Sequence, residues 1–368
     1  MSDAPFPPII SLASGYGTFP TPTVAAEAAV AVIQSGQALA VGPIEGQLAL
    51  REALVARYRQ QGATVTPEQI VVTPGGKAAL FALFNNLLQP GDEVIIPTPT
   101  WFGFWELIQL AGGVARPLLL SPEDDYALTP ERLTAALTPR TRMVLFTNPN
   151  NPNGRVYSRT EVAALLAVVH RRPDVLLLSD EIYDLVNFSP EPVPTLLSFD
   201  DPHQQYMVLN GFSKSLALVG WSLGYLVASP KLAQACADWQ FATSFTVPAP
   251  AQAAARAATE NSAAIAADLL AQLAVTRELM FRGLAELPNV PPAPLPLGTY
   301  YAFPDLRAHL PAADSPTAAS AALVQRLRTA GVDVVDGAGC GAPGFARLSY
   351  AVPPDLLTEA LRRLRQAL

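Results

Sequence analysis

Short apolar runs alternate with longer amphipathic ones along the chain between residues 45 and 230. This alternation predicts an α/β fold with a mostly parallel sheet, because parallel strands are joined by helical crossovers. We expect one large sheet of seven strands, at residues 69–73, 93–97, 115–120, 143–148, 175–182, 206–211 and 223–228.

Helical patterns fill the intervals at residues 76–88, 101–111 and 159–170, and an Ala-rich helical stretch covers 249–287. A Pro-rich cluster at residues 288–296 then marks a boundary. Beyond it we expect a smaller α+β unit, with strands at 299–303, 332–335 and 347–350 and helices at 317–330 and 354–368. We therefore predict a large domain over residues 45–287 and a C-terminal small domain over 288–368, to which the N-terminal segment 1–44 also belongs.

Charge and composition exclude several classes of function. The chain has 31 acidic residues against 24 Lys and Arg, a net charge of −7, whereas sequence-independent binding to nucleic acid needs a basic surface. The same charge disfavours an anionic membrane partner. The three His and two Cys are far apart and show no metal-ligand spacing, so we expect no metal site and two buried, reduced thiols. Without a secretory signal or a long apolar span, we expect a cytoplasmic protein.

Residues able to carry chemistry follow the predicted strands, where α/β sheets bind ligands. Gly75, Gly76 and Lys77 open a helix whose free N–H groups suit a phosphate, although the same glycines could simply form a turn. Trp101 could offer a flat face to a planar ring or pack in the core. The turn at 149–154 has three Asn side chains, more than a turn requires.

Two further strands end in groups of opposite charge. Asp180 directly follows an apolar strand, a costly position for a carboxylate unless it is paired or hydrogen-bonded. Lys214 follows the next strand. A buried ion pair would explain both. So would a pyridine ring held between them, with Asp180 keeping the ring nitrogen protonated, Lys214 bound to the ring aldehyde as an imine and Trp101 stacked on its face, as in pyridoxal phosphate chemistry.

Three motifs in this order resemble the class I (class I/II) aminotransferases of the fold type I pyridoxal-phosphate enzymes, which are aspartate aminotransferase-like. They read Asn-Pro-Asn-Asn-Pro-Asn-Gly at 148–154, Ser-Asp-Glu-Ile-Tyr at 179–183 and Phe-Ser-Lys at 212–214. Matching segments extend the resemblance over nearly the whole chain, at residues 14–22, 46–52, 73–77 and 345–350. The resemblance implies a fold type I architecture, pyridoxal 5′-phosphate as cofactor, and transfer of an amino group from an L-amino acid to a 2-oxo acid.

The resemblance also implies roles for single residues. Lys214 would form the internal aldimine and then move a proton between the substrate α-carbon and the cofactor, which requires a partly neutral amine. Asp180 would pair with the pyridine nitrogen, and Asn151 and Tyr183 would hydrogen-bond the phenolic oxygen. Trp101 would stack on the ring.

Further residues are implied around the phosphate and the substrate. Those at the phosphate are Gly75, Gly76, Lys77, Ser213 and Ser222. Arg347 would bind the substrate α-carboxylate through its planar fork, with Gly15, Tyr16 and Asn151 beside it. By the same resemblance, we expect a homodimer with the site at the interface.

Three positions depart from the family pattern at the phosphate. The family has an Arg, a Ser and a Tyr where this chain has Ser222, Gly211 and Val41. A hydrogen bond to a charged group contributes about 1.5–3 kcal/mol, so losing the Arg contact alone could weaken cofactor binding by roughly 10–100-fold. Alternatively, the helix N-terminus, Ser213, Ser222 and the covalent bond hold the cofactor well enough, or Ser222 marks an altered version of the enzyme.

Tyr16 and Gly17 stand where the family commonly has an acidic residue and a proline, and Phe19, Phe102 and Tyr300 are candidate walls of the side-chain pocket. These residues favour a large neutral or aromatic substrate, although packing in the core would explain the aromatic residues equally well. No second Arg is identifiable for a dicarboxylate. Aspartate remains an alternative. So does a C–S lyase, decarboxylase or cyclase on the same fold, because substrate orientation decides which bond to Cα breaks.

Overall fold

A computed structural model describes residues 8–36 and 41–368. In these ranges the strands are β1 (Ile10–Ser11), β2 (Ile70–Thr73), β3 (Glu93–Thr98), β4 (Val114–Leu119), β5 (Thr141–Thr147), β6 (Leu176–Asp180), β7 (Tyr206–Gly211), β8 (Gly224–Val227), β9 (Tyr301–Ala302), β10 (Val332–Asp333), β11 (Val335–Asp336) and β12 (Ala346–Ser349). The α-helices are α1 (Thr23–Gln34), α2 (Leu48–Gln60), α3 (Gly76–Leu87), α4 (Gly103–Leu110), α5 (Pro130–Ala136), α6 (Arg159–Val169), α7 (Pro230–Thr243), α8 (Ala249–Glu260), α9 (Ser262–Ala285), α10 (Pro316–Thr329) and α11 (Pro354–Ala367).

Seven strands form the central sheet in the order β2-β8-β7-β6-β5-β3-β4. β8 is antiparallel to both of its neighbours, and the other neighbouring pairs are parallel. The apolar character of the strands explains their place, because a parallel sheet is buried on both faces. The prediction of a mostly parallel seven-stranded sheet between helices is confirmed.

Helices cover both faces of this sheet. Side chains of one strand alternate between the two faces, so that Val72 packs in a cluster with residues of α2, α6 and α8, while Val71 packs with residues of α3, α4 and α7. The carboxyl ends of β5, β6 and β7 lie side by side in the middle of this sheet. A ligand site can therefore form at that edge.

The C-terminal part forms a small antiparallel sheet in the order β11-β12-β9. β1 pairs in parallel with β10, which joins the N-terminal segment to this part of the chain. A third hydrophobic cluster contains Leu273 and Leu284 of α9 together with Leu357 and Leu364 of α11. The domain boundaries at residues 44 and 287 stay a prediction.

Several helices and one strand differ from the expectation. The Ala-rich stretch 249–287 is two helices, because Asn261 leaves helical geometry at φ −110° and ψ 19° and its side-chain amide donates to the Ala257 carbonyl at 2.9 Å. Asn competes in this way with the helical backbone. α1, α2, α5 and α7 were not predicted, although Ser229 and Pro230 give α7 an ordinary helix start. The single strand predicted at 332–335 was wrong, because β10 pairs with β1 and β11 pairs with β12.

Candidate active site

The ends of three neighbouring parallel strands bring the central predicted residues together. Asp180 is the last residue of β6 and pairs in register with Thr147 of β5 on one side and Leu209 of β7 on the other. The turn after β5 carries Asn151, and the turn after β7 carries Lys214. The amide of Asn151, the carboxylate of Asp180 and the amine of Lys214 thus lie at the carboxyl ends of three neighbouring strands.

Lys214 is held away from free solvent. Its Nζ donates a 2.6 Å hydrogen bond to the carbonyl oxygen of Gly15 and lies 4.0 Å from the centre of the Tyr16 ring. Burial lowers the pKa of Lys214 to about 7, with a further lowering by Arg347 and an opposing contribution from Asp180. A large share of this amine is therefore neutral near pH 7, as a base or nucleophile requires.

Asp180 is 8% exposed, and its Oδ1 accepts a 3.1 Å hydrogen bond from the Ile182 backbone N–H. Burial raises the pKa of Asp180 to about 7, while the Ile182 hydrogen bond and Lys214 act in the opposite direction. Lys214 bonds to Gly15 and not directly to the Asp180 carboxylate. The simple ion pair considered from the sequence is thus not what the structure contains, and the carboxylate is free to pair with another cationic group.

Arg347 is a buried residue of β12, only 4% exposed. One Nη atom donates to Asn151 Oδ1 at 3.1 Å, and the other donates to the Ala13 carbonyl at 3.1 Å. The guanidinium carbon lies 4.3 Å from the centre of the Tyr301 ring. Its Nε has no partner, and a buried donor of this kind usually has one, so the guanidinium retains capacity for a ligand such as a carboxylate.

Buried Tyr300 and Tyr301 contact Gly15, and a third buried tyrosine, Tyr183, packs against both of them. The hydroxyls of Tyr183 and Tyr301 lie 2.6 Å apart, and Tyr300 donates to the Gly15 carbonyl at 2.7 Å. A Cβ on Gly15 would lie 3.1 Å from the Tyr301 hydroxyl, so glycine lets this segment approach closely. Burial raises the pKa of Tyr183 well above its ordinary value, which keeps its hydroxyl a proton donor. No role is predicted for Tyr301 from the sequence, where the only signal is the adjacent Tyr300.

The predicted phosphate site lies at the start of α3. Gly75 has φ +89°, a conformation that favours glycine, and α3 begins at Gly76 with no side-chain cap. Its first amide groups are therefore available to an anion. β8 also approaches closely, since a Cβ on Gly224 would lie 2.7 Å from the Gly76 nitrogen.

The side chains of Lys77, Trp101 and Ser222 next to this turn are exposed or half-buried. The exposed Lys77 places its Nζ 5.6 Å from the centre of the Trp101 ring, and half-buried Trp101 packs edge-on against Phe104 with ring centres 5.0 Å apart. Ser222 is exposed with φ +50°, and its carbonyl oxygen would lie 3.9 Å from a Cβ on Gly75. The structure thus brings Ser222 beside the turn.

Three predicted positions remain, at Ser213, Gly211 and Val41. Ser213 is half-buried in the turn before Lys214, and Gly211 ends β7. A Cβ at Gly211 would lie 3.2 Å from the Leu223 carbonyl. Val41 is 68% exposed.

These residues fit pyridoxal phosphate by their chemistry: a buried carboxylate, an amine of lowered pKa, free amides at a helix start and an unpartnered buried guanidinium N–H. No group of three or more His, Cys, Asp or Glu suited to a metal ion occurs in residues 8–36 and 41–368. Within the same ranges, no helix is long and apolar enough to cross a membrane.

Comparisons with known proteins agree with this arrangement. The model of the family "Aminotransferase class I and II" matches residues 7–364. The chain is 36% identical to the aspartate/prephenate aminotransferase of Thermus thermophilus, over 98% of this chain and 91% of the relative, and 32% identical to the aspartate aminotransferase of Geobacillus stearothermophilus, over 97% and 91%.

Solved structures show the same likeness. The aspartate aminotransferase of Rhizobium meliloti matches with a TM-score of 0.91 at 30% identity, over 98% of this chain and 91% of the other. The aromatic aminotransferase of Pyrococcus horikoshii matches with a TM-score of 0.89 at 28% identity, over 97% and 95%. The chain belongs to the class I and II aminotransferases. It is a transaminase of the pyridoxal-phosphate-dependent kind, and the predicted family and reaction class are confirmed.

Proposed function

We propose that this aminotransferase prefers a large neutral or aromatic L-amino acid as donor and passes its amino group to a 2-oxo acid. The observation that carries the proposal is Tyr16, a residue that is 58% exposed and whose ring centre lies 4.0 Å from the Lys214 nitrogen. An exposed aromatic face beside the reacting amine is suited to pack against an apolar substrate side chain. Phe102, a candidate wall of the pocket, is also exposed, at 43%.

Relatives support both this preference and its alternative. One carries the name aspartate/prephenate aminotransferase and another the name aromatic aminotransferase. Aspartate as donor needs a cation for its second carboxylate, and the exposed ammonium of Lys77, near Trp101, is one candidate. The two preferences differ in whether the substrate side chain contacts Tyr16 or Lys77.

The same site would hold pyridoxal phosphate through residues at the three strand ends. Asp180 would keep a proton on the ring nitrogen, Asn151 and Tyr183 would contact the phenolic oxygen, and Trp101 would cover the ring face. Gly75, Gly76, Lys77, Ser213 and Ser222 would surround the phosphate. When bound, the cofactor supplies an electron sink for the electron pair left on the substrate Cα.

The chain itself would orient the substrate and move the proton. Arg347 would bind the α-carboxylate with its guanidinium, already oriented by Asn151 and the Tyr301 ring. This fixes the direction of the Cα–H bond. The Nζ of Lys214, neutral in large part near pH 7, would then take the Cα proton as general base.

The test is a half-reaction without 2-oxo acid. Protein loaded with pyridoxal phosphate is mixed with L-phenylalanine, L-aspartate or L-alanine, and formation of the aminated cofactor and of the 2-oxo acid is measured. We expect the highest kcat/KM for phenylalanine, a fall of about tenfold for phenylalanine in Tyr16→Ala, in line with the loss of one apolar contact, and little change for alanine.

A higher kcat/KM for aspartate that falls in Lys77→Ala but not in Tyr16→Ala would contradict the preference. Release of ammonia with the aldehyde form of the cofactor retained would instead identify a lyase, the alternative reaction on this fold.

We also infer a homodimer. Val41 and Phe245 are exposed apolar residues, and the segments that carry them meet where Thr246 Oγ1 donates to the Pro43 carbonyl at 3.4 Å. Exposed apolar surface of this kind favours association. Sedimentation of the wild-type chain and of Val41→Asp tests the inference; a wild-type monomer would contradict it. The cytoplasmic location stays a prediction.

A further inference from the structure

A buried carboxylate outside the proposed mechanism lies beside the site. Asp184 is 7% exposed and pairs with Arg57. Its Oδ2 also accepts from Asn210 Nδ2 at 3.1 Å, and its Oδ1 accepts from Ser215 Oγ at 3.1 Å. A carboxylate buried to this extent is stable only when such donors satisfy its oxygens, and here three side chains do so.

These donors belong to different parts of the fold. Arg57 lies on α2 and Asn210 on β7, whereas Ser215 directly follows Lys214. Asp184 itself directly follows Tyr183. One carboxylate thus connects the segment that contains Tyr183 to the segment that contains Lys214.

Ser215 makes further contacts with the backbone of the segment that contains Tyr183 and Asp184. Its hydroxyl lies 3.1 Å from the Ile182 carbonyl, and it accepts a 3.2 Å hydrogen bond from the Leu185 backbone N–H. The other end of the network is anchored in the sheet, since Arg57 donates to the Tyr225 hydroxyl of β8 at 3.3 Å. Ser215 and Asp184 therefore connect the turn that contains Lys214 to the central sheet.

We propose that Asp184 is a positioning residue that acts through Ser215 to fix the backbone of Lys214, and so holds the Lys214 nitrogen against Gly15 and Arg347. Asp184 has no contact with substrate or cofactor in this role. The inference rests on Lys214 as the active lysine of the proposed function. It concerns the placing of that amine, which can be measured without cofactor.

The protonation of Lys214 reports its position. Its nitrogen is faced by Asp180 from β6, Arg347 from β12 and Tyr16 from the N-terminal segment, and the buried Tyr300 and Tyr301 hydroxyls share the Gly15 carbonyl with it. Burial is the largest cause of its lowered pKa. A loosened turn would admit water and raise the pKa of Lys214 toward its ordinary value.

The experiment labels the cofactor-free full-length chain with acetic anhydride across a range of pH and measures acetylation of Lys214 by mass spectrometry of its peptide. The profile of labelling against pH is normalised to its plateau at high pH. Its midpoint then reports the pKa of the amine and does not depend on how accessible the amine is to the reagent. We expect a wild-type midpoint near pH 7. In Ser215→Ala and Asp184→Asn the midpoint should rise by about one pH unit or more, so that normalised labelling at pH 7 falls about five-fold.

Glu93 provides the matched control. It is 1% exposed, at the start of β3, and hydrogen-bonds Arg116, Arg140 and Thr138. Glu93→Gln should lower the thermal unfolding temperature and leave the Lys214 midpoint at its wild-type value. Ser215→Ala keeps the Arg57–Asp184 pair, so it tests the proposal even where Asp184→Asn does not fold.

A wild-type midpoint in Ser215→Ala would overturn the proposal. So would an equal rise in Glu93→Gln, because the effect would then follow from general loss of stability. Failure of the proposed function is a separate result, seen as an amino-acid half-reaction that persists in Lys214→Met.

Discussion

The Nζ atom of Lys214 donates a 2.6 Å hydrogen bond to the carbonyl oxygen of Gly15, a residue 199 positions earlier in the chain. The N-terminal segment therefore contacts the amine of Lys214, which lies in the turn after β7. Burial by this segment is consistent with the lowered pKa of Lys214, and an amine held in this way should cost folding energy in the cofactor-free protein.

Lys214→Met should stabilise the cofactor-free protein, and most strongly at low pH. The pKa of Lys214 is about 7 in the folded chain and 10.5 ordinarily, so the cost of burial is complete below pH 7, decreases between these values and is absent above the higher one. Because this slope is about 1.4 kcal/mol per pH unit, the gain should be about 2–3 kcal/mol smaller at pH 9 than at pH 6. Urea unfolding at the two pH values measures it; a gain independent of pH would contradict the assignment.

Asp180→Asn should show the opposite dependence on pH. Burial raises the pKa of Asp180 from 3.8 to about 7, so the folded chain loses stability as pH rises through this window. The amide removes that loss, and the gain in free energy of unfolding should therefore grow between pH 4 and pH 7. The same urea measurements on cofactor-free protein test this, and a gain that shrinks over the window would count against it.

Arg347→Lys should impair recognition of the α-carboxylate although the charge is kept. Lysine lacks the planar fork that Asn151 and the Tyr301 ring now orient. We expect kcat/KM for phenylalanine to fall by roughly 10–100-fold, the equivalent of one charge-assisted hydrogen bond. Phenylethylamine, which has no carboxylate, is the control, and its slow reaction should not change. An equal fall for both compounds would assign Arg347 a general structural role.

Ser222→Arg should tighten binding of the cofactor through its phosphate. Ser222 lies beside Gly75 and already has φ +50°, so an arginine inherits the backbone conformation and adds a charged donor. Titration of cofactor-free protein should show pyridoxal phosphate bound roughly 10–100-fold more tightly and pyridoxal, which has no phosphate, unchanged. Equal affinities of the variant and the wild type would mean that the phosphate is already well held.

Local patterns predicted much of the fold and of the site. The apolar runs ending at Asp180 and before Lys214 place both residues at the edge of a parallel sheet, and the structure confirms those strands to within a few residues. The break of the Ala-rich stretch at Asn261 was missed, because a single Asn lowers helix propensity only slightly.

Contacts between distant segments could not be predicted. The hydrogen bond between Ser215 and Asp184 joins residues 31 positions apart, and its existence depends on how two turns and α2 pack together. The same holds for Tyr301, whose hydroxyl lies 2.6 Å from that of Tyr183, a residue 118 positions earlier in the chain. No local pattern identifies either contact.

The absorbance spectrum of the purified protein with pyridoxal phosphate shows whether Lys214 binds the cofactor. A band distinct from that of the free aldehyde should form in the wild type and be absent in Lys214→Met, and addition of L-phenylalanine should convert it to the aminated form of the cofactor. A band that persists in Lys214→Met, or a wild type that forms none, would contradict the assignment of Lys214 as the residue that carries the cofactor.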